Sequence, residues 1–171
     1  IFDNTGVNPV IIDTIKTGTS YGFSTAISPN NDKLAVGCSN GKLKIYNIPS
    51  GTLSNDINAH LSWFTTVAYS SDGTKIVTGG NDDKVKIWNI NGTLLFTCSG
   101  HTGDITSVKV SPDNNFVISS AKDDKIKVWN IGTGNLVRTI SGHTNDVNCI
   151  DISPDGSKIV SASSDSTCKI W

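Results

Sequence analysis

The segment 120-SAKDDKIKVW-129 sets a charged, turn-rich head before an alternating apolar tail that closes on tryptophan. Nearly the same mixture stands at 79-GGNDDKVKIW-88 and again at 161-SASSDSTCKIW-171. Phe2, Tyr46, Trp88, Trp129 and Trp171 close successive apolar runs at intervals of about 42 residues. His60, His101 and His143 keep one fixed offset from the last three of these aromatics. Ser28, Ser70, Ser111 and Ser153 keep a second offset, and Asn40, Asp82, Asp123 and Asp165 a third. Self-similarity at a constant period marks an architecture in which each copy is one supersecondary unit.

Inside each unit the hydrophobic period is two. The runs ITSVKV (105–110), NFVISSA (115–121), KIKVW (125–129) and NLVRTI (135–140) alternate or stay apolar for a few residues, with SPDN, KDD and IGTG between them. Proline presets a turn dihedral, aspartate and asparagine bond back to the backbone, and glycine takes positive φ. Four short strands joined by tight turns make a small antiparallel sheet. Such a sheet cannot bury both faces alone, and packing copies face to face around an axis solves this. The expectation is an all-β chain of β-propeller blades.

The stretch 99-SGHTGDITSVKVSPDNNFVISSAKDDKIKVWN-130 resembles a unit of the WD-repeat (tryptophan–aspartate repeat) β-propeller family. It has Gly-His near its start, an aspartate in the turn before the last strand, and tryptophan in that strand. Asn89 and Asn130 stand where the family usually has the aspartate after tryptophan. The resemblance runs the whole chain and implies one domain, 1–171, of about four four-stranded antiparallel blades. The units are 3–46, 47–88, 89–129 and 130–171, each running from an outer strand to the Trp or Tyr strand. IFDN reads as the tail of a preceding unit, and CKIW stops before an outer strand. The chain is therefore expected to be part of a larger ring, completed by further blades or by a second copy, with closure of these units alone as the third reading. The first unit departs from the pattern, with Gly18, Asn40, Val36 and Tyr46 in place of histidine, aspartate, serine and tryptophan. It should remain a blade without the internal polar network.

Three sets of side chains invite two readings: His60, Thr78, Asp82 and Trp88; His101, Ser119, Asp123 and Trp129; His143, Ser161, Asp165 and Trp171. Serine, histidine and aspartate together suggest a hydrolase. An enzyme needs one such set beside a substrate pocket, whereas equivalent sets in equivalent sheets point to structure. A buried indole N–H needs an acceptor, a hydroxyl supplies it while donating onward to imidazole, and an aspartate fixes the tautomer. The resemblance implies this hydrogen-bonded tetrad. No catalytic residue, metal or cofactor is expected.

In the family, partner-facing residues around the channel mouth stand three and five positions after the histidine and just before the turn aspartate. The resemblance thus implies Trp63, Thr65 and Asn81; Asp104, Thr106 and Lys122; and Asp146, Asn148 and Ser164. The first unit contributes Tyr21, Phe23 and Ser39. Trp63 has no core-directed pattern, and tryptophan and tyrosine are favoured interface anchors. Trp63 and Tyr21, on adjacent blades, are expected to form an aromatic patch beside Asp104 and Asp146, suited to a basic or aromatic peptide.

Bulk properties narrow the partners. The formal net charge is −1, so no basic excess matches a phosphate backbone, and no nucleic acid is expected. No apolar run is long enough for a membrane helix, and no membrane association is expected. Cys38, Cys98, Cys149 and Cys168 show neither CxxC spacing nor paired histidines, and read as buried free thiols in a reducing, cytoplasmic setting. The leading function is a non-catalytic scaffold that binds protein or peptide partners in a multiprotein complex. The alternatives are a sensor propeller attached to an effector outside this stretch, such as a nucleotide-driven switch, and a disfavoured hydrolase.

Overall fold

Side chains that alternate in polarity alternate between the two faces of a strand. In a computed structural model, which describes residues 14–171, these alternating runs form four antiparallel sheets and no helix among the described residues. Sheet 1 holds β1 (Gly22–Ile27), β2 (Lys33–Cys38), β3 (Lys42–Asn47) and β4 (Leu53–Asn58). Sheet 2 holds β5 (Phe64–Tyr69), β6 (Lys75–Gly80), β7 (Lys84–Asn89) and β8 (Leu94–Ser99). Sheet 3 holds β9 (Ile105–Val110), β10 (Phe116–Ala121), β11 (Lys125–Asn130) and β12 (Leu136–Ser141). Sheet 4 holds β13 (Val147–Ile152), β14 (Ile159–Ser163) and β15 (Cys168–Ile170). Each sheet is a meander in chain order. The first strands β1, β5, β9 and β13 pack one against the next, so they line a common axis. The reading of Phe2 and Asp3 falls outside the described residues.

The turns explain the second fixed offset in the sequence. Ser28, Ser70, Ser111 and Ser153 each accept a backbone N–H from five residues on, at Lys33, Lys75, Phe116 and Lys158. Each hydroxyl donates to an aspartate of the same turn, Asp32, Asp72, Asp113 or Asp155. The serine thus closes the first hairpin of every sheet. In the second hairpin the residue after the turn asparagine or aspartate takes positive φ: Gly41, Asp83, Asp124 and Ser166.

Neighbouring sheets stack face to face. Ala35, Leu43 and Ile45 of sheet 1 meet Phe64, Val67, Ile76 and Trp88 of sheet 2. Val77, Val85 and Ile87 of sheet 2 meet Ile105, Val108, Val117 and Trp129 of sheet 3. Ile118 and Ile126 of sheet 3 meet Val147, Ile150 and the partly buried Ile159 and Trp171 of sheet 4. Each large side chain removed from water contributes roughly 1.5–3 kcal/mol, so the seams dominate the favourable side of folding. The fit is close at Gly37, where a Cβ would overlap the Phe64 ring. Polar ties cross the seams too: Val67 N donates to Ser24 Oγ at 3.1 Å and Val108 N to Thr66 Oγ1 at 3.3 Å.

One expectation needs correction. Cys38 and Cys98 are buried, and burial pushes the Cys98 thiol up to about 12, but Cys149 and Cys168 are exposed. Both lie on the face of sheet 4 whose counterparts in sheets 1–3 the next sheet covers, so their apolar-looking context does not imply burial. The face of sheet 1 turned away from sheet 2 is partly covered: Val36, Cys38 and Tyr46 are buried with Ile15 packed against them. The covering segment is held by Lys44 Nζ, which donates to Thr17 O at 2.7 Å.

Candidate protein-interaction rim

Two constellations compete for a functional role: the histidine networks and the residues around the mouth of the axis. In sheet 2, Trp88 Nε1 donates to Thr78 Oγ1 at 2.9 Å, Thr78 Oγ1 meets His60 Nε2 at 2.8 Å, and His60 Nδ1 meets Asp82 Oδ1 at 2.8 Å. Sheet 3 repeats this through Trp129, Ser119, His101 and Asp123, each step 2.8 Å. Sheet 4 repeats it through Trp171, Ser161, His143 and Asp165 at 2.9, 2.7 and 2.7 Å. One assignment of protons satisfies every member: the indole N–H goes to the hydroxyl oxygen, the hydroxyl proton to Nε2, and Nδ1–H to the carboxylate. Each aspartate also accepts the N–H after its histidine, from Leu61, Thr102 or Thr144. It takes a second N–H from its own turn, at Lys84, Lys125 or Thr167.

All three histidines, the three hydroxyl residues, Trp88 and Trp129 are buried, while Trp171 and the three aspartates are partly buried. In each set the hydroxyl oxygen accepts the indole N–H, and its own proton is directed to the imidazole. Sheet 1 lacks the network: Val36 fills the hydroxyl position and Tyr46 the indole position, while Asn40 Oδ1 still accepts Lys42 N at 3.3 Å. Burial holds the His101 imidazole below its ordinary value, against the opposing pull of Asp123. The Thr167 hydroxyl, with His143 and two backbone amides, keeps the Asp165 carboxyl well below the usual carboxylate range.

The mouth of the axis is built differently. In β1 the ladder steps from Gly22↔Cys38 to Ser24↔Gly37, leaving Phe23 unpaired. The same step leaves out Thr65 in β5, Thr106 in β9 and Asn148 in β13. These are β-bulges, and a bulge re-aims the extra side chain away from the ladder. Every residue five positions after the histidine position is therefore a bulge residue. The other two rim positions are joined by backbone. Ser39 N donates to Tyr21 O, Asn81 N to Trp63 O, Lys122 N to Asp104 O and Ser164 N to Asp146 O, at 2.8–3.0 Å.

A cleft of about 330 Å³ opens at this mouth and gathers side chains from all four sheets. Of the sequence-derived residues, Phe23, Trp63, Thr65, Asn81, Asp104, Thr106, Lys122 and Asn148 line it. Tyr21, Ser39, Asp146 and Ser164 lie outside its lining, although Asn148 Nδ2 donates to Ser164 Oγ at 3.0 Å. Lys122 Nζ donates to Asp104 Oδ2 at 2.9 Å, and this contact raises the ammonium pKa. Thr106 Oγ1 donates to Val147 O and accepts from Ser120 Oγ. Its counterpart Thr65 Oγ1 is buried and has no hydrogen-bond partner among the described residues.

The aromatic patch differs from expectation. Trp63 is 55% exposed, and its ring contact is with Phe23, centroids 5.3 Å apart and planes 49° apart, where Tyr21 was expected. The bulge turns Phe23 toward Trp63 and leaves Tyr21 79% exposed. Sequence reading also passed over Leu61, 95% exposed where sheets 3 and 4 carry Thr102 and Thr144. It passed over Phe64 and Ile105 as well, the buried apolar floor of the cleft. A usable signal was present: Phe64 and Val67, like Ile105 and Val108, are buried three apart within a strand, which period two forbids without an inserted residue.

Comparison with known proteins finds the same repeat. The family described as "WD domain, G-beta repeat" matches residues 51–89, 92–130 and 134–171, leaving out the first unit. A Periodic tryptophan protein 2 homolog of Dictyostelium discoideum is 47% identical over 73 residues, which are 42% of this chain and 8% of that protein. COMPASS component SWD1 of Saccharomyces cerevisiae is 37% identical over 68 residues, 37% of this chain and 16% of that protein. The match therefore spans only a small part of these relatives. The crystal structure of the computationally designed Ika4 protein superposes with a TM-score of 0.83 at 31% identity, covering 92% of this chain and 94% of that one. With three spaced matches over most of its length and propeller-type sheets throughout, this chain belongs to the WD-repeat family.

Proposed function

We propose that this chain is a non-catalytic interaction module that receives a protein or peptide partner across the rim at the mouth of its axis, with Trp63 as the principal anchor. The carrying observation is the bulge in each first strand, which sends one side chain per sheet out of the ladder toward a shared cleft. The strands are spent on the seams and the histidines on the tetrads, so this mouth is where variable side chains meet solvent. The names of relatives, a COMPASS component and a pre-rRNA-processing protein, support a place in a multiprotein assembly. Four free cysteines support a reducing, intracellular setting.

Affinity capture with the full-length protein and with Trp63→Ala tests the reading. Loss of a hot-spot aromatic costs on the order of 2 kcal/mol or more of binding. The variant should lose its partner while retaining the wild-type melting temperature, and undiminished capture would remove Trp63 from the site.

A further inference from the structure

The rim is divided chemically. Three positions after the histidine site, sheets 1 and 2 carry Tyr21 and Trp63, whereas sheets 3 and 4 carry Asp104 and Asp146. At the bulge Phe23 faces Thr106 and Asn148 across the cleft lining. One side of the mouth thus presents Tyr21, Phe23, Leu61 and Trp63, all more than half exposed. Exposed large apolar residues grouped this way mark an interaction surface. The other side is polar and acidic. Its one cation at these positions, Lys122, is committed to Asp104 at 2.9 Å. Asp146 also acts on the Lys122 charge from nearby, yet forms no ion pair of its own among the described residues. One ammonium between two carboxylates leaves an unspent negative charge on that side.

We infer that the rim selects an extended segment of a partner protein that carries a large apolar side chain beside an arginine or lysine. The apolar group lies on the tilted Trp63–Phe23 pair, and the cation meets the Asp146 carboxylate. This inference rests on the rim reading above. Charge complementarity argues for the basic residue: a cation at Asp146 relieves the surplus carboxylate, and an acidic segment would be repelled. The two rings stand 5.3 Å apart at 49°, a tilted pair in contact whose outer faces offer one apolar surface for a side chain to lie against. The cleft volume is at the lower end of the roughly 300–1,000 Å³ typical of ligand pockets, which fits one anchoring side chain.

The probe is a phage-displayed library of random linear peptides, panned on the full chain in parallel with Trp63→Ala, Asp146→Lys and Asp146→Asn. Thermal melting of each variant serves as the folding control. Wild type should enrich sequences that pair a large apolar residue with arginine or lysine. Those peptides should bind Trp63→Ala at least tenfold more weakly, as hot-spot loss implies. Asp146→Lys should drop the basic residue from the enriched set while keeping the apolar one, with Asp146→Asn intermediate. Enrichment of apolar anchors without a basic residue, or an unchanged set on Asp146→Lys, overturns this inference and leaves the rim reading standing. Peptides that bind Trp63→Ala as well as wild type, or no enrichment at all, overturn both.

Discussion

An indole buried without an acceptor forfeits its hydrogen bond to water, and three sheets meet that demand with the same relay of hydroxyl, imidazole and carboxylate. The aspartate is the most connected member: Asp123 serves His101, Thr102 and Lys125 at once. Asp123→Ala should therefore strand the Nδ1–H of buried His101 and two backbone amides and lower stability by about 1–3 kcal/mol, measured by urea or thermal denaturation; an unchanged midpoint would remove its structural role. The imidazole carries a pH signature. His101 is held below its ordinary value, so the unfolded chain takes up the proton first and stability falls as pH drops. The loss begins near pH 6.5, the ordinary imidazole value of about 6.5, and ends once the pH has passed the lower folded value. Asp82 and Asp165 are depressed carboxylates whose contribution is lost only on further acidification, below about 4. Urea midpoints should decline between pH 7.5 and 5 as the unfolded chain protonates His101, and His101 ring shifts in NMR should titrate below a free imidazole. These residues were legible in the sequence because a buried network repeats with the sheet that contains it.

At the scale of the strand, the ladder and the seam make separate demands. The strand positions and turns could be read from period-two alternation and from serine–aspartate turn chemistry. ITSVKV at 105–110 is β9 residue for residue, and NLVRTI is β12 shifted by one. The bulges were not read, because one inserted residue leaves composition unchanged and alters only the spacing of buried positions. The sequence-derived rim set came from resemblance, and the bulge supplies its physical reason. Seam packing was equally hidden, since it pairs residues from units a full repeat apart. Gly37 shows the consequence: its backbone lies against the Phe64 ring, with no space for a side chain. Gly37→Ala should force Phe64 outward, cost about 1–3 kcal/mol by overpacking, and disturb the adjoining cleft floor. Denaturation together with a changed near-ultraviolet signal would register it.

Across the whole molecule the sheets are unequally supported. Sheets 2 and 3 are covered on both faces, whereas sheet 4 has three strands and shows Val160, Ile170, Cys149 and Cys168 to solvent. Native-state hydrogen exchange of this 171-residue chain should therefore find β13–β15 amides exchanging ahead of those in β6, β7, β10 and β11. Equal protection in all four sheets would contradict this ranking. The covering of sheet 1 was not legible in the sequence, because it depends on Ile15 packing against Val36, Cys38 and Tyr46. The bulge, finally, bears on how such a molecule can change over time. Phe23, Thr65, Thr106 and Asn148 take no part in Cα pairing, so exchanging one for another amino acid alters what the surface offers while strand alignment stays put. Excising one is a different event, because it closes the ladder into regular alternation, keeps Phe64 and Val67 on one face, and takes away the side chain offered at the mouth. Recognition at this mouth is free to diverge by replacement, whereas deletion removes a contact outright.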